Sequence, residues 1–463
     1  MQAANYEDRV KSSPRIREIE VSKLFGFFNH KIRMNEAERI TIIQGPNGYG
    51  KTAILRLLDA LFNDKDAVLK KIPFNEFRVT FDNDSFISVK QSENRKERRD
   101  KVEHFLKFEY RDSEGTTDKF ITTPVDRVMA ERLYGVVEDV IPFLTRIARD
   151  TWKNDRSGEI LSIEEIVDRF EDDFPPSMIR GKHEAPGALL ELRKSIPLRF
   201  IEAQRLIAIR PRSHQPRRPF DSTVPIYAAE EYSEELAKEI KSKLAEYATL
   251  SQSLDHSFPT RIFQEGNRIV RTEESIRNQY LANENKRNRL MEAGLLGKEG
   301  EYTVPLQQGF DERTKDLLGV YVEDVAKKLG VFDGILEKIE LLKRAINSKF
   351  LFKELSIDKE RGYVIITKQG RELRPTDLSS GEQHEIVLNH ELLFKATPNS
   401  LILMDEPELS FHVAWQESFL KDLAEIARLA ELDVLLATHS PHIIFDKWDL
   451  TVELKAPQDV GKS

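Results

Sequence analysis

Two short segments, in a fixed order and far apart, constrain this chain more than anything else in it. Gly45-Pro46-Asn47-Gly48-Tyr49-Gly50-Lys51-Thr52 has the spacing G-x-x-x-x-G-K-[ST], and more than three hundred residues later Leu401-Ile402-Leu403-Met404-Asp405-Glu406-Pro407 is an apolar run closed by two carboxylates. The first spacing lets backbone N–H groups cradle phosphates, while Lys51 reaches the terminal ones and Thr52 offers a hydroxyl to Mg²⁺. Average composition produces such an eight-residue match by chance in roughly one or two chains in a hundred of this length. Its surroundings lower that chance. Arg39-Ile40-Thr41-Ile42-Ile43-Gln44 reads as a buried strand entering the loop, and from Ala53 to Phe62 apolar residues recur at helical spacing. Strand, loop and helix in that order set a helix N-terminus, with its partial positive charge, against the phosphates of a bound nucleotide.

In the second segment Asp405 closes the strand, where it would hold Mg²⁺ through its water shell, and Glu406 would polarise the water that attacks a γ-phosphate. Alone, an apolar strand followed by Asp-Glu-Pro is as readily a strand entering a turn, since Pro407 is a good turn former. The phosphate loop upstream decides between these readings, and the pair implies a site for ATP and Mg²⁺. Leu378-Ser379-Ser380-Gly381-Glu382-Gln383 precedes a helical run, so Ser379, Ser380, Gly381 and Glu382 fall at a helix N-terminus with free N–H groups, either an ordinary N-cap or an anion site. Val434-Leu435-Leu436-Ala437-Thr438-His439 is another buried strand, ending in a histidine that by itself would be structural.

The order of these pieces resembles ABC-type ATPases, which carry a signature motif about twenty residues before the carboxylate strand and a switch histidine after the next strand. Asp405-Glu406-Pro407-Glu408-Leu409-Ser410-Phe411-His412 with Trp415-Gln416 looks like the carboxylate segment of SMC, RecF and OLD-type ATPases. Arg15 to Val21 followed by Leu24-Phe25-Gly26-Phe27-Phe28 is similar to their opening strand and aromatic turn. The resemblance implies an α/β fold: an ABC-type P-loop ATPase core, a mixed sheet with an antiparallel β meander, interrupted by helical insertions that form a short coiled-coil-like arm. It also implies a glutamine touching Mg²⁺ and the attacking water. Gln204, after Leu198-Arg199-Phe200-Ile201-Glu202, fits that Q-loop; Gln91, nearer the phosphate loop, stays open as the alternative.

Organisation along the chain follows the patterning. Residues 1–123 read as the strand-rich first part of the core, with Phe77 to Phe81, Phe86 to Val89 and Phe105 to Tyr110 alternating as a meander and Asp82-Asn83-Asp84-Ser85 as a turn. Residues 124–195 read as a helical insertion, 196–225 as a core strand with the Q-loop, 226–349 as a helical arm, and 350–463 as the rest of the core with signature, carboxylate strand and switch histidine. In the arm Leu236, Ile240, Leu244, Tyr247 and Leu250, and again Ile335, Ile339, Leu342 and Ile346, recur every three or four residues, so the two helices are expected to pair back to back. Of two basic runs, Arg95-Lys96-Glu97-Arg98-Arg99 is interrupted by acid and reads as a solvated loop rather than a binding patch, while Arg210 to Pro219 carries no acid and is open to DNA phosphates, an acidic protein or a structural loop.

Composition excludes several classes. The 463 residues contain no cysteine, which removes disulfides, thiolate zinc sites and thiol nucleophiles and fits a reducing cytoplasm. A net charge of −8 opposes coating nucleic acid through bulk electrostatics and leaves direct DNA binding open. No run reaches the length of a membrane helix, so no membrane partner is expected.

The resemblance further implies that Ser380 and Gly381 meet the γ-phosphate of ATP held by a second subunit, giving homo-oligomers built on ATP-sandwich dimers, with Lys51 and His439 stabilising transition-state charge. OLD-type nucleases continue past this histidine into a Toprim domain, whereas the sequence ends at Ser463. The expectation is therefore a nuclease effector of Toprim type in trans, as the resemblance to the ATPase family of PARIS antiphage systems implies, held by this chain and released when a phage-encoded trigger protein is sensed. Alternatives are a Septu-type defence ATPase with an HNH nuclease and a RecF-like ATP-dependent DNA clamp in repair.

Overall fold

The computed structural model describes residues 14–95, 102–122, 127–155, 158–170, 174, 187–202, 207–208, 226–265, 272–297 and 309–456. The chain divides into two units, the first built from residues 1–203, 396–409 and 416–463, the second from 204–395 and 410–415.

Two large sheets and a smaller three-stranded one lie among the described residues of the first unit. An antiparallel meander runs in the order Phe28–Arg33, Ile16–Leu24, Glu76–Phe81, Phe86–Arg95, Val102–Arg111, Thr117–Thr122. Its strands alternate because one face is buried: Phe77, Val79 and Phe81 are fully inside while the residues between them are half-exposed. The second sheet is parallel, in the order Leu198–Glu202, Leu401–Asp405, Asp433–Thr438, Ile40–Gln44, Thr451–Glu453. In its three central strands, Leu401–Asp405, Asp433–Thr438 and Ile40–Gln44, the runs are almost continuously apolar, as strands buried on both faces are. The helix Lys51–Phe62 shares one core with both sheets, and ten of its twelve residues are buried, Lys51 and Asp59 among them, so it is buried almost all round.

Parallel register sets the geometry of the site. Asp405 pairs with Glu202 and Ala437, and Thr438 with Gln44, so the ends of four neighbouring strands are level. The loops that leave these carboxyl ends are where an open parallel sheet holds its ligand.

Within residues 124–195, expected to be a helical insertion, the described part holds strands as well as helices. Short helices at Arg127–Tyr134, Val137–Val140, Ile163–Arg169 and Gly187–Ser195 accompany a three-stranded antiparallel sheet of Leu144–Ala148, Thr151–Asn154 and Ile160–Ser162. Helical spacing in the sequence covers only the segments flanking the sheet. The strand around Trp152 is four residues long, too short to show a period, yet Trp152 is fully buried at the centre of this insertion's own core with Leu133, Val137, Ile166 and Val167.

The second unit contains the helices Ala228–Glu265, Glu273–Glu292, Glu312–Gly330 and Asp333–Asn347, and a three-stranded sheet of Lys353–Asp358, Gly362–Thr367 and Glu372–Leu373. The first helix keeps its course through Pro259 and, at 38 residues, spans about 57 Å at 1.5 Å per residue. Its pairing differs from the back-to-back expectation. Its far half packs on Glu312–Gly330, where Arg261 grips Asp324 through two bonds of 2.5 and 2.6 Å, while the Ile335, Ile339, Leu342, Ile346 stripe packs on strand Lys353–Asp358 and helix Ser380–His390. Among the described residues no helix is long and apolar enough to cross a membrane.

Helix Ser380–His390 carries a titrating group in its interior. His384 is buried, lies edge-on to Phe411 with ring centroids 5.5 Å apart, and burial pushes it from 6.5 down to about 4. The folded state keeps this ring neutral, whereas the unfolded chain protonates it below 6.5. Its contribution to stability is therefore complete above that value and is lost as pH falls toward about 4. Urea unfolding at pH 7 and pH 5 should show a loss of about 2 kcal/mol from this group, which His384→Leu removes. An equal pH dependence in both proteins would refute it.

Candidate active site

Strand Ile40–Gln44 delivers the phosphate loop, and Gly50 turns it into helix Lys51–Phe62. Gly48 and Gly50 have φ of 86° and 90°, the left-handed region where a side chain is strained. At Gly50 space is also lacking, since a Cβ would sit 2.5 Å from Leu24 Cδ2 and 3.6 Å from the Phe25 ring. The loop is braced from the meander by a residue without a motif to reveal it: the buried His30 hydrogen-bonds through Nε2 to the Tyr49 carbonyl at 2.9 Å. Pro46, Asn47 and Gly48 form the exposed crest, and the first-turn N–H groups of the helix, at Lys51, Thr52 and Ala53, have no intrahelical acceptor.

Lys51 is buried at the base. Its Nζ donates to Gly45 O at 3.0 Å and Pro46 O at 3.4 Å and contacts the His439 ring. Burial lowers its pKa, opposed by the charges of Glu406, Asp405 and Glu408. Thr52 Oγ1 donates to Asp405 Oδ1 at 3.1 Å, and His439 Nε2 lies 3.6 Å from Glu406 Oε1. The structure thus brings together Lys51 and Thr52 at the start of their helix, Asp405 and Glu406 at the end of the carboxylate strand, and His439 beyond the next strand. Glu406 has φ 47°, a left-handed conformation for a non-glycine residue, with its N–H bonded to Ala437 O at 2.8 Å. Such backbone strain, of order 1–3 kcal/mol, persists only where the surroundings hold it.

Asp405 and Thr52 fit Mg²⁺. They are hard oxygen donors side by side, and one carboxylate, one hydroxyl, waters and phosphate oxygens make the set this ion takes. Burial pushes the Asp405 carboxyl up; the Thr52 hydroxyl opposes this, Glu406 adds to it, and Arg56 and Lys51 oppose it. With the folded pKa raised, Asp405 favours the fold below the ordinary carboxylate range and loses that contribution as pH rises through its own value. At pH 7 its charge is a cost that a cation removes. Asp405→Asn should therefore raise the nucleotide-free melting temperature by about 1–3 °C and abolish the extra stabilisation that Mg²⁺ adds to ATP, both read by scanning calorimetry. A lower melting temperature would contradict this electrostatic account.

The signature residues lie in the second unit. Ser379 caps helix Ser380–His390 and is locked by Glu382, whose Oε2 accepts from Ser379 N at 3.0 Å and Ser379 Oγ at 2.8 Å. Lys353 Nζ donates to the same oxygen at 2.8 Å, so Glu382 is committed to the cap while Ser380 stays exposed beside Gly381. One turn on, the buried pair Lys349–Glu385 at 3.0 Å fixes the helix.

Gln204 and the basic run Arg210 to Pro219 lie outside the described residues, as do 96–99 of the other run. Strand Leu198–Glu202 runs beside the carboxylate strand, two residues short of Gln204. Gln91 is committed elsewhere: its Nε2 donates to Leu69 O at 2.6 Å and Ile72 O at 2.7 Å, and its Oε1 accepts from Phe74 N at 3.2 Å.

A family model described as AAA ATPase domain matches residues 15–444. No curated protein sequence matches the chain. Among solved structures the chain is similar to the SMC head domain from Thermotoga maritima, at 12% identity over 95% of this chain and 94% of that one, TM-score 0.32. It is also similar to an Smc head with an extended coiled coil bound to the C-terminal domain of ScpA, from Pyrococcus furiosus, at 15% identity over 93% and 91%, TM-score 0.28.

Proposed function

From the premise that this chain belongs to the AAA ATPase domain family, we propose that it hydrolyses ATP at the carboxyl edge of its parallel sheet, as one half of an ATP-sandwich dimer. The observation that carries the reading is the convergence of Lys51, Thr52, Asp405, Glu406 and His439 on the phosphate loop. Lys51 and the first-turn N–H groups hold the β- and γ-phosphates, and Lys51 with His439 draws off the charge that develops on the transferred group. Glu406 accepts a proton from the attacking water and holds it in line. Thr52 and Asp405 would hold Mg²⁺, which when bound neutralises phosphate charge. Ser380 and Gly381 of a second copy close the site from the opposite side, using the helix N-terminus as an anion site. The test is phosphate release from MgATP by the chain and by its Glu406→Gln variant. Turnover by the first and retained nucleotide without turnover in the second support the reading; no release by either at any chain concentration overturns it.

The finer role rests on the resemblance of the Asp405 to His412 segment to SMC, RecF and OLD-type ATPases. It is that of a sensor and scaffold in an antiphage system, holding a nuclease supplied in trans until a phage protein arrives. Retention of a nuclease at fixed stoichiometry on the ATP-locked Glu406→Gln chain from its native host supports this role. Recovery of DNA and repair proteins without a nuclease replaces it with a RecF-like clamp.

A further inference from the structure

Glu408 follows Glu406 by two residues, in the tight turn Pro407–Ser410. One of its oxygens, Oε1, accepts three hydrogen bonds from the loop that bears the switch histidine: Thr438 Oγ1 at 2.5 Å, His439 N at 3.1 Å and Ser440 N at 3.2 Å. Ser440 is held a second time, its Oγ donating to Gln416 Oε1 at 2.8 Å. The turn that bears Glu408 is closed on itself by Leu409 N donating to Glu406 O at 3.2 Å, and it is joined to the switch strand by Glu406 N donating to Ala437 O at 2.8 Å. The two loops are thus stitched at consecutive points, Ala437, Thr438, His439 and Ser440, and three of the four points converge on one carboxylate oxygen.

We propose that Glu408 is a positioning residue, which fixes the backbone of His439 to the turn of Glu406 so that the histidine and the carboxylate keep one geometry toward the γ-phosphate. The proposal rests on the hydrolytic reading of Glu406 and His439. Glu408 acts through hydrogen-bond acceptance at one oxygen, a role that an amide oxygen in the same place can also fill. His439 stands on the first residue beyond its strand, where the ladder with Ile40–Gln44 has ended at the Thr438–Gln44 pair, so the carboxylate takes over where sheet pairing stops. A displacement of about 1 Å in a catalytic group is enough to cost about 10²-fold in rate.

The distinguishing variants are Glu408→Ala, which removes the acceptor, and Glu408→Gln, which keeps an acceptor oxygen and removes the charge. Hydrogen exchange of the nucleotide-free chain reads the clamp directly and needs no turnover. In Glu408→Ala the His439 amide should exchange at least about 10-fold faster while Val434 to Ala437 keep wild-type protection, as does Ser440, whose N–H retains Thr438 Oγ1 at 2.9 Å as acceptor, and in Glu408→Gln all should stay near wild type. In turnover, Glu408→Ala should lower kcat by about 10²-fold with KM for ATP within about 3-fold, and Glu408→Gln should restore kcat to within about 3-fold of wild type. Three results overturn the proposal: unchanged exchange at His439 in Glu408→Ala, loss of protection along the whole strand with a collapsed melting temperature, or Glu408→Gln as slow as Glu408→Ala. If the wild-type chain itself releases no phosphate, the hydrolytic reading fails and with it the catalytic part of this proposal, while the exchange result still decides whether the clamp exists.

Discussion

Glu406→Gln should lower ATP turnover by about 10²–10⁴-fold, the usual contribution of a positioned general base, while ATP stays bound. Glutamine has the shape of glutamate and can keep the backbone bond to Ala437 O and the same left-handed turn, so the loop geometry survives. What disappears is the basic oxygen, which stands 3.6 Å from His439 Nε2. Lys51, Thr52 and the helix N-terminus, the proposed phosphate grip, are untouched. On the proposed sandwich, a nucleotide that is held but not cleaved keeps the second copy engaged, so the variant should accumulate as an ATP-bound dimer. Phosphate release and light scattering after gel filtration with MgATP measure the two effects separately. Unchanged turnover removes Glu406 from the role of base, and loss of ATP binding would mean that the substitution damaged the loop rather than the chemistry.

The parts of this site that were legible in the sequence are those whose chemistry is local. Gly50, Lys51 and Thr52 lie within one loop, and Asp405 and Glu406 within one strand end, so spacing alone announces them. The meander was legible for the same reason, since Phe77, Val79 and Phe81 alternate on a half-buried strand. Two other residues that act across long sequence separations gave no such signal. His30 braces Tyr49 from a neighbouring sheet, and Glu408 bonds to Thr438, His439 and Ser440 thirty or more residues away. Nothing in the spacing of either residue marks it, although Glu408 sat inside a segment already singled out. Gln91 shows the opposite failure: a glutamine near the phosphate loop in sequence is held by the backbone of residues 69–74. The arm's helices were legible and their partners were not, because an amphipathic stripe says that a face is buried and not against what.

Two inactive variants should restore one another when mixed. Lys51→Ala removes the phosphate grip from the first unit, and Ser380→Arg puts a bulky charge at the exposed N-terminus of the signature helix in the second. In either homodimer of sandwich type both sites carry the defect, so each variant alone should lose at least about 10²-fold in turnover. A mixed dimer concentrates both defects in one site and leaves the other with an intact phosphate loop facing an intact signature. Random pairing of equal amounts makes half the dimers mixed, so the mixture should recover about a quarter of wild-type turnover if the two sites fire independently in a two-fold dimer. The experiment turns on the cap geometry, since Ser379 and Glu382 are consumed by the capping box and Lys353, leaving Ser380 and Gly381 as the part of the motif available to a ligand. Recovery requires that phosphate loop and signature act from different chains. A mixture as inactive as its components, with Ser380→Arg still binding ATP, would show that the signature does not complete a partner's site, and the sandwich would have to be abandoned.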